Sequence, residues 1–375
     1  MSYKAKLATL VAFMLAVGVA STPQIASAQL CTDSPPPQQM AQIRPILLGV
    51  SGGNIRSIIK TKKEKGCFSG TLGSMVQDSE DNEYILSNNH VLADQNKAKP
   101  GQKIVQPGLV DVDCLKSPSN TVATFTTAIK LKFGGGTNTV DAALAAVEPG
   151  EVSPQILFIG DIGSDQGTPT IGLPVQKMGR TTCLSTGVIA QLDANVTINY
   201  SDDLKHPKLA KFVNQIVVTG SVATPQFGLA GDSGSLIVTI DDCPQAVALL
   251  FGGFAASGNV IANPISEVLS KLNVSMVGTC DDDATEPSQS DALAASVGLS
   301  DAVVSSAKAA RDRHEDTLMK IPGAVGTGIG ASDEPGQAAI AVYVTKLTPE
   351  AQAAAPQEVD GTPVNLIETG EAVAY

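Results

Sequence analysis

From residue 67 to about 277, short apolar runs alternate with clusters of Gly, Pro, Asn and Asp. The runs fall at 68–76, 84–86, 122–126, 156–159, 187–192, 215–219, 236–240 and 246–251. They are too short and too often interrupted for core helices, and they predict strands joined by turns. Many short strands at this spacing predict an all-β sandwich or barrel. The pattern then changes period. Residues 265–272 place Ile265, Val268, Leu269 and Leu272 on one helical face.

Residues 281–291 are acidic, carry Ser, Thr and Pro, and have no apolar periodicity, so they are expected to form a linker. Beyond them the class changes. Residues 291–320 are rich in Ala, Leu and Arg and predict a helix stopped by Pro322-Gly323. Strand-like runs follow at 325–329 and 338–344, then a short helix at 349–354 and a strand at 364–367. This is a small α/β module, large enough for a modest core. It holds no nucleophile–base pair, so it is expected to be an accessory unit that binds a partner, inhibits or assists folding. The expected organisation is a signal peptide at 1–28, an N-terminal arm at 29–66, the β-rich domain at 67–280, the linker at 281–291 and the module at 292–375.

The leader assignment rests on three features. Lys4 and Lys6 precede an apolar stretch from 7 to 20, and Ala26-Ser27-Ala28 offers a cleavage site after Ala28. The apolar stretch is short against the ~20 residues a membrane span needs. A secreted or periplasmic protein is therefore expected. An exported chain with six cysteines, Cys31, Cys67, Cys114, Cys183, Cys243 and Cys280, is expected to form three disulfides. The expected pairing is Cys31 with Cys280, Cys67 with Cys114, and Cys183 with Cys243. No C-x-x-C spacing occurs, and no metal site or cofactor is expected. The formal charge of −12 becomes −14 when Lys4 and Lys6 leave with the leader. Such a balance disfavours nucleic acid or an anionic membrane as partner.

Three short motifs carry the chemistry. Gly231-Asp232-Ser233-Gly234-Ser235 lies between apolar runs. Flanking glycines allow a tight, exposed turn and let a substrate carbonyl approach the N–H groups of Gly231 and Ser233. A plain glycine-rich hairpin would look similar in isolation. His90 is one of only three histidines and closes the segment Ser87-Asn88-Asn89-His90-Val91-Leu92-Ala93, where an apolar strand ends. A general base needs such a rigid mount. Asp141, in Val140-Asp141-Ala142-Ala143-Leu144, is the only acid in a small, apolar segment, and a charge buried there requires a partner. Asp111, Asp113 and Asp161 sit in polar or glycine-bounded loops and are weaker candidates for the acid.

The order His90, Asp141, Ser233 excludes the α/β-hydrolase and subtilisin orders. These motifs resemble those of the trypsin-like, chymotrypsin-fold serine peptidases of bacterial type, over roughly residues 66–277. The resemblance implies a mostly β fold with two six-stranded barrels, here followed by the α/β module. It implies a serine endopeptidase acting on protein or peptide substrates through His90, Asp141 and Ser233. Gly231 and Ser233 would form the oxyanion hole, and Phe227, Gly252 and Gly253 the substrate pocket. With no acid near Phe227, a small or medium apolar substrate side chain is expected there. Two departures stand out. The chain lacks the freshly cut Ile-Val-Gly-Gly start whose amino group pairs with the aspartate before the serine, so the partner of Asp232 is open, and the module has no counterpart in a minimal peptidase. A non-catalytic binding or adhesion protein on the same scaffold and an esterase with the same triad are the alternative readings.

Overall fold

The structure, a computed structural model, describes residues 31, 33–60, 65–201, 206–278, 280 and 298–375. The signal peptide and the linker expected from the sequence lie outside these residues. The first barrel is built from β1 (Val50–Asn54), β2 (Gly70–Leu72), β3 (Ser74–Gln77), β4 (Glu83–Ser87), β5 (Lys103–Val105), β6 (Thr121–Ala128) and β7 (Ala143–Val147). A single helical turn, α1 (Asn89–Leu92), follows β4. Strand pairing runs β3-β4-β7-β6-β5-β1-β2. Gly73 bends β2 into β3, so the two act as one kinked strand and the ring of six closes. A side chain at Gly73 would collide with the Gly234 carbonyl, which fixes this bend against the serine turn.

The second barrel contains β8 (Pro174–Lys177), β9 (Ser185–Asn199), β10 (Leu209–Gly220), β11 (Leu236–Thr239), β12 (Ala246–Phe254) and β13 (Val260–Pro264). The order β9-β8-β11-β12-β13-β10 returns to β9, because β9 also pairs with β10. This second closed ring of six strands buries Leu173, Val175, Ile189, Ile216, Val218, Ile237, Leu250 and Val260. Alternating apolar residues fill each barrel because successive strand side chains point to opposite faces. The helix α2 (Ile265–Leu272) lies where its apolar spacing predicts and buries Ile265, Val268 and Leu269.

The sequence pattern underestimates β9, which continues well past residue 192. Register shifts between Ile189 and Val196, with Asp193 at φ 50, bulge the strand and hide its alternation. The extension matters, because the C-terminal module pairs with it. That module comprises α3 (Asp301–Leu318), β14 (Ala324–Ala331), β15 (Ala338–Val344), α4 (Pro349–Ala354), β16 (Thr362–Glu368) and β17 (Ala372–Ala374). β14 runs antiparallel to β9, from Gln191 opposite Gly330 to Val196 opposite Gly326. The sheet therefore continues from the second barrel through β14, β15 and β16. Beneath that joint, Phe212, Phe251 and Phe254 of the barrel pack with Ala341 and Tyr343 of the module.

Three expectations need correction. The stretch expected as an N-terminal arm at 29–66 contributes β1 to the first barrel, between β2 and β5. The helix expected over 291–320 begins at Asp301, where the Ser300 hydroxyl accepts the Val303 N–H and caps it. The disulfides are Cys31–Cys183, Cys67–Cys114 and Cys243–Cys280, so only the middle pair matches the expectation. Cys280 follows α2 and bridges beside Gly163 to the β11–β12 turn, which holds Cys243, whereas the arm crosses to Cys183. Pairing along the linear sequence carried no information about these approaches.

Candidate active site

His90 stands in α1 at the end of β4. Asn88 holds this corner by donating Nδ2–H to the Asp141 carbonyl at 2.7 Å. Asp141 precedes β7, the strand paired with β4, so strand pairing brings acid and histidine together. His90 Nδ1 lies 2.6 Å from Asp141 Oδ2, and the His90 N–H donates to Asp141 Oδ1 at 3.3 Å. The carboxylate is completely buried. A third donor compensates it further: Tyr200 Oη donates to Asp141 Oδ2 at 2.7 Å. Asn263 of β13 accepts the Asp141 N–H at 3.0 Å and donates to the Leu249 carbonyl at 3.1 Å, tying the acid to the second barrel.

Burial opposes a charge on His90, but the attraction of Asp141, its hydrogen bond and a main-chain oxygen of Tyr375 outweigh it. The imidazole pKa is raised above its ordinary 6.5. Tyr200 also meets the ring edge-on, with centroids 5.7 Å apart. Neither Tyr200 nor Asn263 was legible as a site residue in the sequence. Tyr200 directly follows β9 and Asn263 lies in β13, both in the second barrel and far from the histidine in the chain.

Ser233 comes from the turn before β11. Its carbonyl accepts the Thr71 N–H at 2.8 Å, and Thr71 Oγ1 donates to the Gly231 carbonyl at 3.0 Å, so the turn is clamped to the first barrel. Gly231 and Gly234 have φ of 100 and 93, a region that favours glycine. The N–H groups of Asp232 and Gly234 donate to Leu229 and Leu250 carbonyls. Among the described residues, the Gly231 and Ser233 N–H groups make no hydrogen bond. Ser233 Oγ is fully buried and donates to the Phe251 carbonyl at 3.1 Å. Among the described residues no hydrogen bond joins it to His90. His90 Nε2 instead lies 2.8 Å from the main-chain oxygen of Tyr375.

Asp232, whose partner the sequence left open, is held internally. It accepts the N–H groups of Thr181 at 2.7 Å and Leu229 at 2.9 Å, and the Thr182 hydroxyl at 2.8 Å. Buried Lys177 Nζ stands 3.7 Å away. Desolvation lowers the lysine pKa against the pull of Asp232. The weaker candidates for the acid lie elsewhere: Asp111 binds Arg180, and Asp161 accepts from Gln155. Asp113 ends a short 3-10 turn in the left-handed region.

Of the expected pocket residues, Gly252 and Gly253 flank the cleft on β12, with Val373 and Tyr375 directly against them. Phe227 does not face open space. Its side chain is fully buried in the second barrel core, and its carbonyl accepts from Ser185 Oγ at 2.7 Å. A cavity of about 480 Å³ opens beside His90, lined by Cys67, Phe68, Arg180, Tyr200, Gly231 and Tyr375.

Two closed six-stranded barrels thus meet at a cleft that receives His90 and Asp141 from one and Ser233 from the other. This is a chymotrypsin-like double β-barrel. Solved structures of bacterial serine proteases are similar to it. A glutamic acid-specific serine protease is 18% identical, with a TM-score of 0.41, covering 62% of this chain and 100% of its own. Thermobifida fusca Protease A is 16% identical, with a TM-score of 0.41, covering 62% and 99%. Cellulomonas bogoriensis chymotrypsin is 17% identical, with a TM-score of 0.37, covering 56% and 91%. No protein-family model and no curated protein matches the sequence.

Proposed function

We propose that this chain is a secreted serine endopeptidase, with the catalytic unit in the two barrels, which begin at Val50, and an accessory module in 292–375. One observation carries the reading: the buried Asp141–His90 pair, 2.6 Å apart, opens on the same cleft as a serine turn with two N–H groups free to bind an anion. On this reading Ser233 Oγ attacks a peptide carbonyl carbon while His90 Nε2 takes its proton. The Gly231 and Ser233 N–H groups stabilise the oxyanion, a contribution of about 10²–10³ in rate per donor. Asp141 fixes the tautomer and stabilises the imidazolium. His90 then returns the proton to the departing amine as the C–N bond breaks. Water, deprotonated by His90, then attacks the Ser233 ester carbonyl; the C–Oγ bond breaks as His90 returns the proton to Ser233 Oγ, and the acid is released. The three disulfides fit an oxidising compartment. Among the described residues no helix is long and apolar enough to cross a membrane.

The test is digestion of a peptide library. Ser233→Ala and His90→Ala should each lower turnover by about 10⁴-fold or more, and the double variant should be little worse, because the residues act as a unit. Near-full activity in His90→Ala would overturn the mechanism. Substitution of Asp141 by Asn should also lower turnover by about 10⁴-fold through the wrong tautomer.

A further inference from the structure

The segment from Thr369 to Tyr375 leaves the module and enters the cleft. Ala255 and Ala256 N–H groups guide it by donating to the Glu371 and Thr369 carbonyls at 2.9 and 3.0 Å. β17 then lies antiparallel to β12, with Ala372 opposite Phe254, Val373 opposite Gly253 and Ala374 opposite Gly252. On its other side Val373 pairs in parallel with Asn199 of β9. The Tyr375 N–H donates to the Phe251 carbonyl at 3.2 Å. The phenol lies flush on Gly253, where any side chain would collide with it, and packs against the second barrel core. Burial, and secondarily the charge of Asp232, push its pKa up to about 12, so the phenol stays neutral. The Tyr375 main-chain oxygen reaches His90 Nε2.

This is how a peptide would lie on the acyl side of a scissile bond: strand pairing along one rim, a side chain inserted between glycine-walled strands, and a main-chain oxygen at the base. The open cavity beside Tyr375, which Cys67, Phe68 and Gly231 also line, leaves room for the leaving-group half. We propose that the cleft selects peptides with an aromatic residue at the cleavage position and small residues before it, and that residues 372–375 occupy it as an internal, competitive ligand. The proposal rests on the peptidase reading above. It revises the expected preference for a small or medium apolar side chain, because the pocket accommodates a whole tyrosine. It also assigns the module a role: its sheet joint to β9 keeps the tail beside the cleft.

The experiment compares the full chain, a chain ending at Gly370 and the full-length Tyr375→Ala variant. Substrates are anilides of Ala-Val-Ala-Tyr, Ala-Val-Ala-Arg, Ala-Val-Ala-Glu and Ala-Val-Ala-Ala. Ending at Gly370 should raise turnover of the tyrosine substrate about ten-fold or more, because a tethered strand acts at an effective concentration on the order of millimolar. Tyr375→Ala, which keeps the strand pairing, should raise it less. The free peptide Glu-Ala-Val-Ala-Tyr should inhibit the shortened chain competitively. Equal rates in all three chains, noncompetitive inhibition, or preference for the arginine, glutamate or alanine substrate would overturn the proposal while leaving a peptidase. No hydrolysis of any peptide by any of the three chains would instead overturn the peptidase reading beneath it.

Discussion

His90 Nδ1 faces the Asp141 carboxylate at 2.6 Å, an acceptor only, and this sets the state of its other nitrogen. With Nδ1–H committed to the carboxylate, Nε2 can donate to the Tyr375 oxygen only when the ring is charged. As a base it must be neutral. The raised pKa therefore has a definite sign: turnover should climb with pH through an acid limb above the ordinary 6.5. The same argument makes the tail bind more tightly at low pH. Tyr200 is a positioning residue in this scheme. Tyr200→Phe removes a hydrogen bond to a buried carboxylate, an interaction of about 1.5–3 kcal/mol. It should lower kcat by about one to two orders of magnitude and move the acid limb upward, since the phenol no longer draws charge from Asp141. A pH–rate profile that keeps its acid limb in place would show that Tyr200 serves packing alone. At this scale the sequence spoke clearly for His90 and Ser233, whose neighbours form local motifs. Asp141 was distinguished by being the sole acid in an apolar segment. Tyr200, Asn263 and Lys177 were illegible, because their roles arise from approaches between distant strands.

Among the elements, β9 and β12 do most to connect fold and site. β12 is buried along its whole length, in keeping with the apolar run at 246–251 that predicted a strand, and it continues through Gly252 and Gly253 to Phe254. β9 was half legible, because its bulges break the two-residue period. Along that bulged stretch its edge carries β14, and Arg311 of α3 donates to the Asp193 carbonyl at 2.8 Å. Removing residues 298–375 would strip that edge and uncover Phe254 where it packs on Tyr343, with ring centroids 4.9 Å apart. The loss of a large buried aromatic partner typically removes about 3–5 kcal/mol. A chain lacking the module should therefore melt at least about 5 °C lower than the full chain, whereas a chain ending at Gly370 should melt within about 2 °C of it. Equal melting temperatures for all three would show that module and barrel fold independently. The short strand β17 had no signal in the sequence. Its few small residues have no periodicity of their own and become a strand only between two others.

Across the whole molecule, two barrels supply complementary halves of the proposed chemistry, and a third unit threads a strand into the seam between them. The arrangement was legible in outline: barrels, helix and module all have local patterns. What joined them was not, because disulfide partners, the β9–β14 joint and the path of the tail depend on contacts between segments remote in sequence. The central claim is that Ser233 is a nucleophile activated by His90 and shielded by residues 372–375. Its most direct measurement is the rate of covalent labelling by a fluorophosphonate, with the modified residue located by peptide mapping, in the full chain and in the chain ending at Gly370. The account predicts a single adduct at Ser233 in both, formed faster in the shorter chain and absent from the corresponding Ser233→Ala variants. The absence of an adduct at Ser233 even when the tail has been removed would contradict it.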